Sequence, residues 1–282
     1  MAEHEGRVPL KAKAVTFCLL LAGAILFTIP FLWTISTALK TPEEIAKDPT
    51  HLIPNQFAWD NFYKAWTALP FTQFVLNTLF ITVLNTIGTV FTASLVAYGF
   101  ARFNFKGRNL CFYAMLATMM LPGQVTMIPV FMIWRELHAI DTFYPLIVGS
   151  YFGGGAFNIF LLRQFLLTIP RELDEAAMLD GASYPRIWWS ILLPLSTPAL
   201  ATVAIFSFIG NWDSFDGPLI YLNSPEKYTV AMGLRMFQDS FGTNLEQLMA
   251  ASVIHILPTI VIFFFAQRYF LKGIALSGLS GR

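Results

Sequence analysis

Residues Glu175–Pro194 read EAAMLDGASYPRIWWSILLP. The first half of this stretch carries acids and its middle a glycine, yet it lies between two runs apolar enough to cross a bilayer. Pro170 lacks the N–H that a first helical turn leaves unpaired, and Glu172, Asp174 and Glu175 suit the positive end of a helix dipole. A helix is therefore expected from about Pro170. Ala176 and Ala177 give it a low-relief face, and Gly181 suits the left-handed residue that closes a helix. Ser183 is placed to cap a second helix with Pro185 in its first turn. Ile187, Trp188, Trp189, Ile191, Leu192 and Leu193 carry that helix to the membrane interface, where Trp is favoured. The segment thus reads as a soluble helical hairpin over about 168–190, with Pro194 at the entry to the next span.

Working outward, the chain has 282 residues, 56% of them hydrophobic and 12% charged, with a mean hydropathy of +0.59. An ordinary soluble domain is about 25% charged. The composition is that of an all-α polytopic membrane protein. A span needs roughly 20 apolar residues, and such runs occur at about 14–39, 71–101, 110–134, 142–163, 191–212 and 248–270. Six spans place both termini on one side. That side, with the 102–109 loop and the 163–190 segment, holds twelve Lys and Arg against six acids, whereas the other side holds six against eleven. The excess of Lys and Arg on one face puts the termini and the hairpin in the cytoplasm. The outer loops, about 40–70 and 213–247, contain Trp, Pro and acids and are expected to be ordered; the spans and loops read as a single transmembrane domain over 1–282.

A net charge of +1 is too even for a nucleic-acid partner or a polybasic anchor. Cys18 and Cys111 lie far apart in apolar runs, and His4, His51, His138 and His255 share no ligand spacing, so no disulfide or metal site is expected. The first apolar run reads as an uncleaved span. The cores of the spans hold no Asp, Glu, Lys or Arg, leaving no carboxylate relay for a pump driven by protons or sodium. No GK dipeptide is present to build a nucleotide-cradling P-loop. Active transport by this chain would draw its energy from another subunit.

By physics alone the hairpin could be an amphipathic connector lying on lipid. Three acids near its start argue against anionic headgroups. Glu175-Ala176-Ala177, then Gly181, Ile191, Leu193 and Pro194, resemble the EAA-x3-G-x9-I-x-L-P motif of ABC importer permeases. The resemblance is greatest to maltose-transporter-like carbohydrate permeases, and "NWDSFDGPLIYLNSPEKYTVAMGL" (Asn211 to Leu234) and "RYFLKGIALSGLSGR" (Arg268 to Arg282) extend it. It implies a type I importer fold of six transmembrane helices in the prokaryotic inner membrane. It also implies a second homologous permease subunit, two ATPase subunits and an extracytoplasmic solute-binding protein. ATP and Mg would be held by the ATPases and no cofactor by this chain, which would itself be no enzyme. In such permeases the hairpin sits in an ATPase cleft, and the coupling set here would be Glu175, Ala176, Ala177, Asp180, Gly181 and Arg186.

Sugar recognition needs aromatic faces and amide or hydroxyl groups in a wet cleft. Tyr151, Gly154, Phe157 and Asn158 in the fourth span and Ser207, Asn211 and Trp212 in the fifth are the candidate substrate-facing residues. Asn77, Asn85 and Gln124 are further polar candidates. For each, helix packing is the competing reading, since small and amide residues join spans to one another. Pro30, Pro122, Pro129 and Pro258 are expected to kink their spans. An ion-coupled secondary carrier and a membrane-embedded hydrolase are the alternatives; the first lacks intramembrane carboxylates and the second a grouped acid, base and nucleophile.

Overall fold

The computed structural model describes residues 10–239 and 244–279. Glu3, Glu5, Arg7, Gly242 and Arg282 lie outside the described residues, as do the side chains of the tail from Arg268 onward. The chain divides into two compact units, one built from residues up to Leu69 with Met236–His255, the other from Pro70–Arg235 with residues from Ile256 onward.

In the first unit the opening apolar run forms α1 (Leu10–Ala38), apolar around its whole circumference, as suits a helix solvated by lipid. The loop after it is ordered, with short helices at Pro42–Lys47 and Asp60–Ala68. Buried Asn61 donates from Nδ2 to the carbonyls of Ala38 (2.9 Å) and Lys40 (2.8 Å), tying the loop to the end of α1.

The second unit is organised by α2 (Phe71–Arg102). Its buried stripe includes Thr78, Thr82, Asn85, Thr89, Ala93, Ala97 and Ala101, recurring at three- and four-residue spacing. The opposite face exposes Leu76, Phe80, Val83, Ile87, Phe91 and Leu95. Lipid gives Leu and Phe no reason to hide, so close packing of small and polar residues decides which face meets neighbouring helices.

The third span is broken. α3 (Arg108–Ala117), a 3-10 turn at Thr118–Met120 and α4 (Gly123–Glu136) take the place of one straight helix over 110–134, with a bend of 100°. Pro122, which cannot donate to the preceding turn, sits at the break. Pro30, Pro129 and Pro258 stay inside continuous helices. The fourth span, Tyr144–Thr168, contains a glycine turn and then α5 (Ala156–Thr168), which runs past the expected inner end at 163. Arg163 is therefore a helix residue. Its guanidinium lies 4.2 Å from the centroid of the Phe112 ring.

Next come α6 (Glu172–Leu179), α7 (Tyr184–Leu195) and α8 (Thr197–Trp212). The expected fifth span over 191–212 is corrected by a bend of 81° between α7 and α8. Residues up to Leu195 continue the hairpin's second helix, whose Trp188–Leu192 turn is π-helical. Pro194 and Pro198 each remove a backbone donor at the bend. The carbonyl of Pro194 instead accepts from Thr197 Oγ1 at 2.6 Å. α9 (Val230–Asp239) and α10 (Leu245–Leu279) follow. Among the described residues four helices are long and apolar enough to cross a membrane, and the count reaches six when each bent pair is one span.

Within the second unit α2 packs most extensively on α8 and α5. At one end of this packing Ala97, Tyr98, Ala101, Leu162, Ile187 and Leu192 share a buried core. That core seats the hairpin.

Candidate functional site

The first hairpin helix starts at Glu172, two residues later than Pro170, because Arg171 takes the N-cap position. It closes as expected at Gly181, whose φ is +80°. The Gly181 N–H donates to the Met178 carbonyl (3.0 Å) and the Ala182 N–H to the Ala177 carbonyl (2.9 Å), the pair of bonds that ends a helix through a left-handed residue. Ser183 is extended and precedes α7 as an N-cap should, but its side chain makes no capping bond. Trp188 is buried, edge-on to Phe91 at 5.5 Å, while Trp189 is exposed.

Of the expected coupling residues, Glu175, Ala176, Asp180, Gly181 and Arg186 are exposed on the hairpin, and Ala177 turns half inward onto the core. The tip also presents Met178 and Leu179, the latter 89% exposed. An apolar side chain so placed among charges fits a surface that a protein covers. The apolar run of the sequence hides these two as ordinary helix residues.

The base of the hairpin carries what the sequence reading missed. Asp174 is buried and pairs with Arg102 at the end of α2, Oδ2 lying 2.6 Å from Nε, with side-chain exposures of 9% and 5%. The approach is that of an ion pair and not of an aligned hydrogen bond, and Asp174 Oδ1 has no hydrogen-bond partner. Burial pushes the Asp174 carboxyl above the usual carboxylate range, against the opposing pull of Arg102 and Arg171. Arg102 Nη2 also donates to the Ile169 carbonyl (3.0 Å), Arg171 Nη2 to the Ala101 carbonyl (3.2 Å) and Tyr98 Oη to the Tyr184 carbonyl (3.3 Å). These groups line a cleft of about 290 Å³ that Glu175 and Met178 also border.

The seven candidate substrate residues do not meet in one cavity. Asn211 borders a space of about 30 Å³ with Thr78, Ser214 and Thr229, and its amide donates to the Ser207 carbonyl at 2.7 Å. Trp212 is buried and stacked on Phe208. Tyr151 borders a separate recess of about 490 Å³ with Phe80, Phe143 and Tyr144, and donates to the Leu84 carbonyl at 3.1 Å. Gly154 has φ +67°, and a Cβ there would lie 2.5 Å from the Thr89 carbonyl oxygen, so this glycine seats its turn on α2. Asn158 donates to the Gly154 carbonyl at 2.8 Å, and Phe157 packs on Phe206 at 6.1 Å. Asn77 and Asn85 donate across elements, to the carbonyls of Glu226 and Leu146 respectively.

At the other end of the second unit, Asp141 gathers the loop after α8. It accepts from the N–H groups of Asn223 and Ser224 (both 3.0 Å), the Ser224 hydroxyl and Lys227 Nζ (2.8 Å), while its own N–H donates to the Tyr221 carbonyl. The same loop is held to α2 by Asn77 and by the Val230 N–H on Thr78 Oγ1 (2.9 Å).

Residues 89–276, a segment that contains the whole hairpin, match the family model described as "Binding-protein-dependent transport system inner membrane component". The arabinooligosaccharides transport system permease protein AraQ of Bacillus subtilis (strain 168) is 31% identical over 100% of both chains. The sn-glycerol-3-phosphate transport system permease protein UgpE of Yersinia pestis bv. Antiqua is 31% identical over 92% of this chain and 95% of its own. A solved bacterial ABC transporter involved in the import of the acidic polysaccharide alginate contains a chain of the same fold, with a TM-score of 0.82 and 24% identity over 95% of this chain and 100% of that one. Hairpin, broken spans and full-length similarity converge: this chain belongs to the family of binding-protein-dependent transport system inner membrane components, the permeases of ABC importers.

Proposed function

We propose that this permease carries a carbohydrate, delivered by an extracytoplasmic solute-binding protein, across the prokaryotic inner membrane, with both termini in the cytoplasm. It pairs with a second, homologous permease. Two separate ATPase subunits bind ATP and Mg and hydrolyse the nucleotide; this chain does neither. The observation that carries the proposal is the hairpin tip, where Glu175, Met178, Leu179 and Asp180 stand exposed on a helix anchored at its base. A connector resting on lipid would turn its apolar residues toward the membrane and would have no use for a buried ionic anchor. The sugar class is supported by relatives named for arabinooligosaccharide and sn-glycerol-3-phosphate transport.

Within that reading, Ser207 and Asn211 are the polar groups of α8 best placed to meet substrate, since Asn211 keeps its amide oxygen for a ligand hydroxyl. The dispersal of Tyr151, Phe157 and Trp212 supports a larger share of sugar contacts for the partner permease. Affinity purification of the tagged chain from its native membrane tests the assignment. An ATPase and a second permease are expected to copurify, with a solute-binding protein joining when sugar is supplied. Recovery of this chain alone under conditions that preserve other ABC transporters would contradict it.

A further inference from the structure

We infer that Arg102 and Asp174 are positioning residues for coupling: they fasten the hairpin to α2, so that motion of the hairpin is delivered to α2 as well as to the spans joined to it through the chain. This inference rests on the coupling role proposed for the hairpin. Chain connectivity alone ties the hairpin to α5 before it and α8 after it. Both of those joints interrupt regular α-helix. Between α7 and α8 lie the π-helical turn Trp188–Leu192 and the 81° bend, flanked by two prolines. Residues Ile169–Arg171 separate α5 from α6. A push applied at Glu175 or Leu179 would be partly absorbed at these joints.

The lateral tie bypasses them. Arg102 ends α2 and holds two points of the hairpin's first arm at once, the Asp174 carboxylate at 2.6 Å and the Ile169 carbonyl at 3.0 Å. Arg171 returns the grip by donating to the Ala101 carbonyl. On the second arm Tyr98 donates to the Tyr184 carbonyl, and the Tyr184 ring meets Phe103 edge-on at 5.1 Å. α2 in turn packs on both α5 and α8. The ion pair is nearly dry, so separating its charges while both remain buried is unfavourable, and hairpin and α2 move as one body. Asp174 stands immediately before Glu175, one residue turned into the permease and the next turned out of it.

Single substitutions would strand a buried charge and confuse positioning with folding. The informative variant is Arg102→Met combined with Asp174→Leu, because an apolar pair of similar bulk removes the tie and leaves no orphan charge. The complex is reconstituted with its ATPases and binding protein, and sugar imported and ATP hydrolysed are measured together. ATPase copurification is expected to be normal, and sugar imported per ATP to fall about tenfold, within the range typical of coupling between sites. In a background with exposed Cys18→Ser and Cys111→Ser, Arg102→Cys and Asp174→Cys joined by a short thiol crosslinker should restore the ratio relative to the unjoined form. An unchanged ratio in the Met/Leu variant would overturn the inference, and so would failure of that variant to assemble, since the pair would then serve stability alone. Glu175→Lys is run in parallel. If it leaves ATPase binding and import normal, the coupling role of the hairpin itself fails, a result distinct from failure of the tie.

Discussion

Two aspartates at the two ends of the second unit each face a cation, and they are built in opposite ways. Asp174 is buried, meets Arg102 through one close contact, and leaves Oδ1 without a hydrogen-bond partner. Asp141 is a quarter exposed and accepts four hydrogen bonds, from Lys227, the Ser224 hydroxyl and two backbone N–H groups. The consequence is a divergence in acidity: burial raises the Asp174 carboxyl, whereas Lys227 first and Ser224 next hold Asp141 far below the usual carboxylate range. With a depressed folded-state pKa, the Asp141 knot is fully present above the ordinary carboxylate range and is lost only in strong acid. With a raised one, ionised Asp174 costs the fold, and this aspartate is the first of the two to protonate as pH falls. The Asp141 knot fixes a loop; the Asp174 pair stakes its stability on both partners staying in place.

The contrast is sharpest under single substitution. Asp174→Ala leaves the Arg102 guanidinium buried and unpaired, at a cost of about 3–5 kcal/mol. Loss of the hairpin's protection from proteolysis near Gly181, together with a large drop in thermal stability of the purified chain, is the expected result. A drop no larger than that of a substitution at the Asp141 knot would erase the distinction. Lys227→Met, at the Asp141 knot, removes a partly exposed pair worth only about 0–1 kcal/mol, and the remaining donors to Asp141 persist. Near-normal stability and uptake are expected. Because Ser224 and Lys227 both hold Asp141, deleting residues 223–227 is expected to dismantle this knot.

How much of this was written in the sequence differs by region. The six apolar runs were legible because lipid demands length and apolarity and little else. The hairpin was legible because its punctuation is local: acids, then Gly181, then Ser183 and Pro185. Pro122 marked the break in the third span, but the bend at Ser196 was hidden in an unbroken apolar run, where only the paired prolines 194 and 198 signalled lost backbone donors. The Arg102–Asp174 tie was illegible in principle from spacing, since its partners are brought together only when α2 packs against α5 and α8. Both residues had entered the charge count for the inner face as if solvated. The substrate candidates fared unevenly for a related reason: amides and glycines serve packing and recognition alike, and at Asn77, Asn85 and Gly154 the observed contacts are packing contacts.

The central claim is that the exposed hairpin tip, held from below, is where ATP hydrolysis is handed to the permease. Its most direct test measures sugar uptake and ATPase copurification together, in membranes holding equal amounts of permease, for Glu175→Lys and Gly181→Val. The first reverses a charge at the tip. The second places a β-branched residue at φ +80°, a conformation that costs such residues roughly 1–2 kcal/mol, and misdirects α7. Both variants should insert normally yet lose uptake, with the ATPases dissociated or bound but uncoupled. Normal uptake and normal ATPase binding in both would contradict the account and return the hairpin to the role of a passive connector.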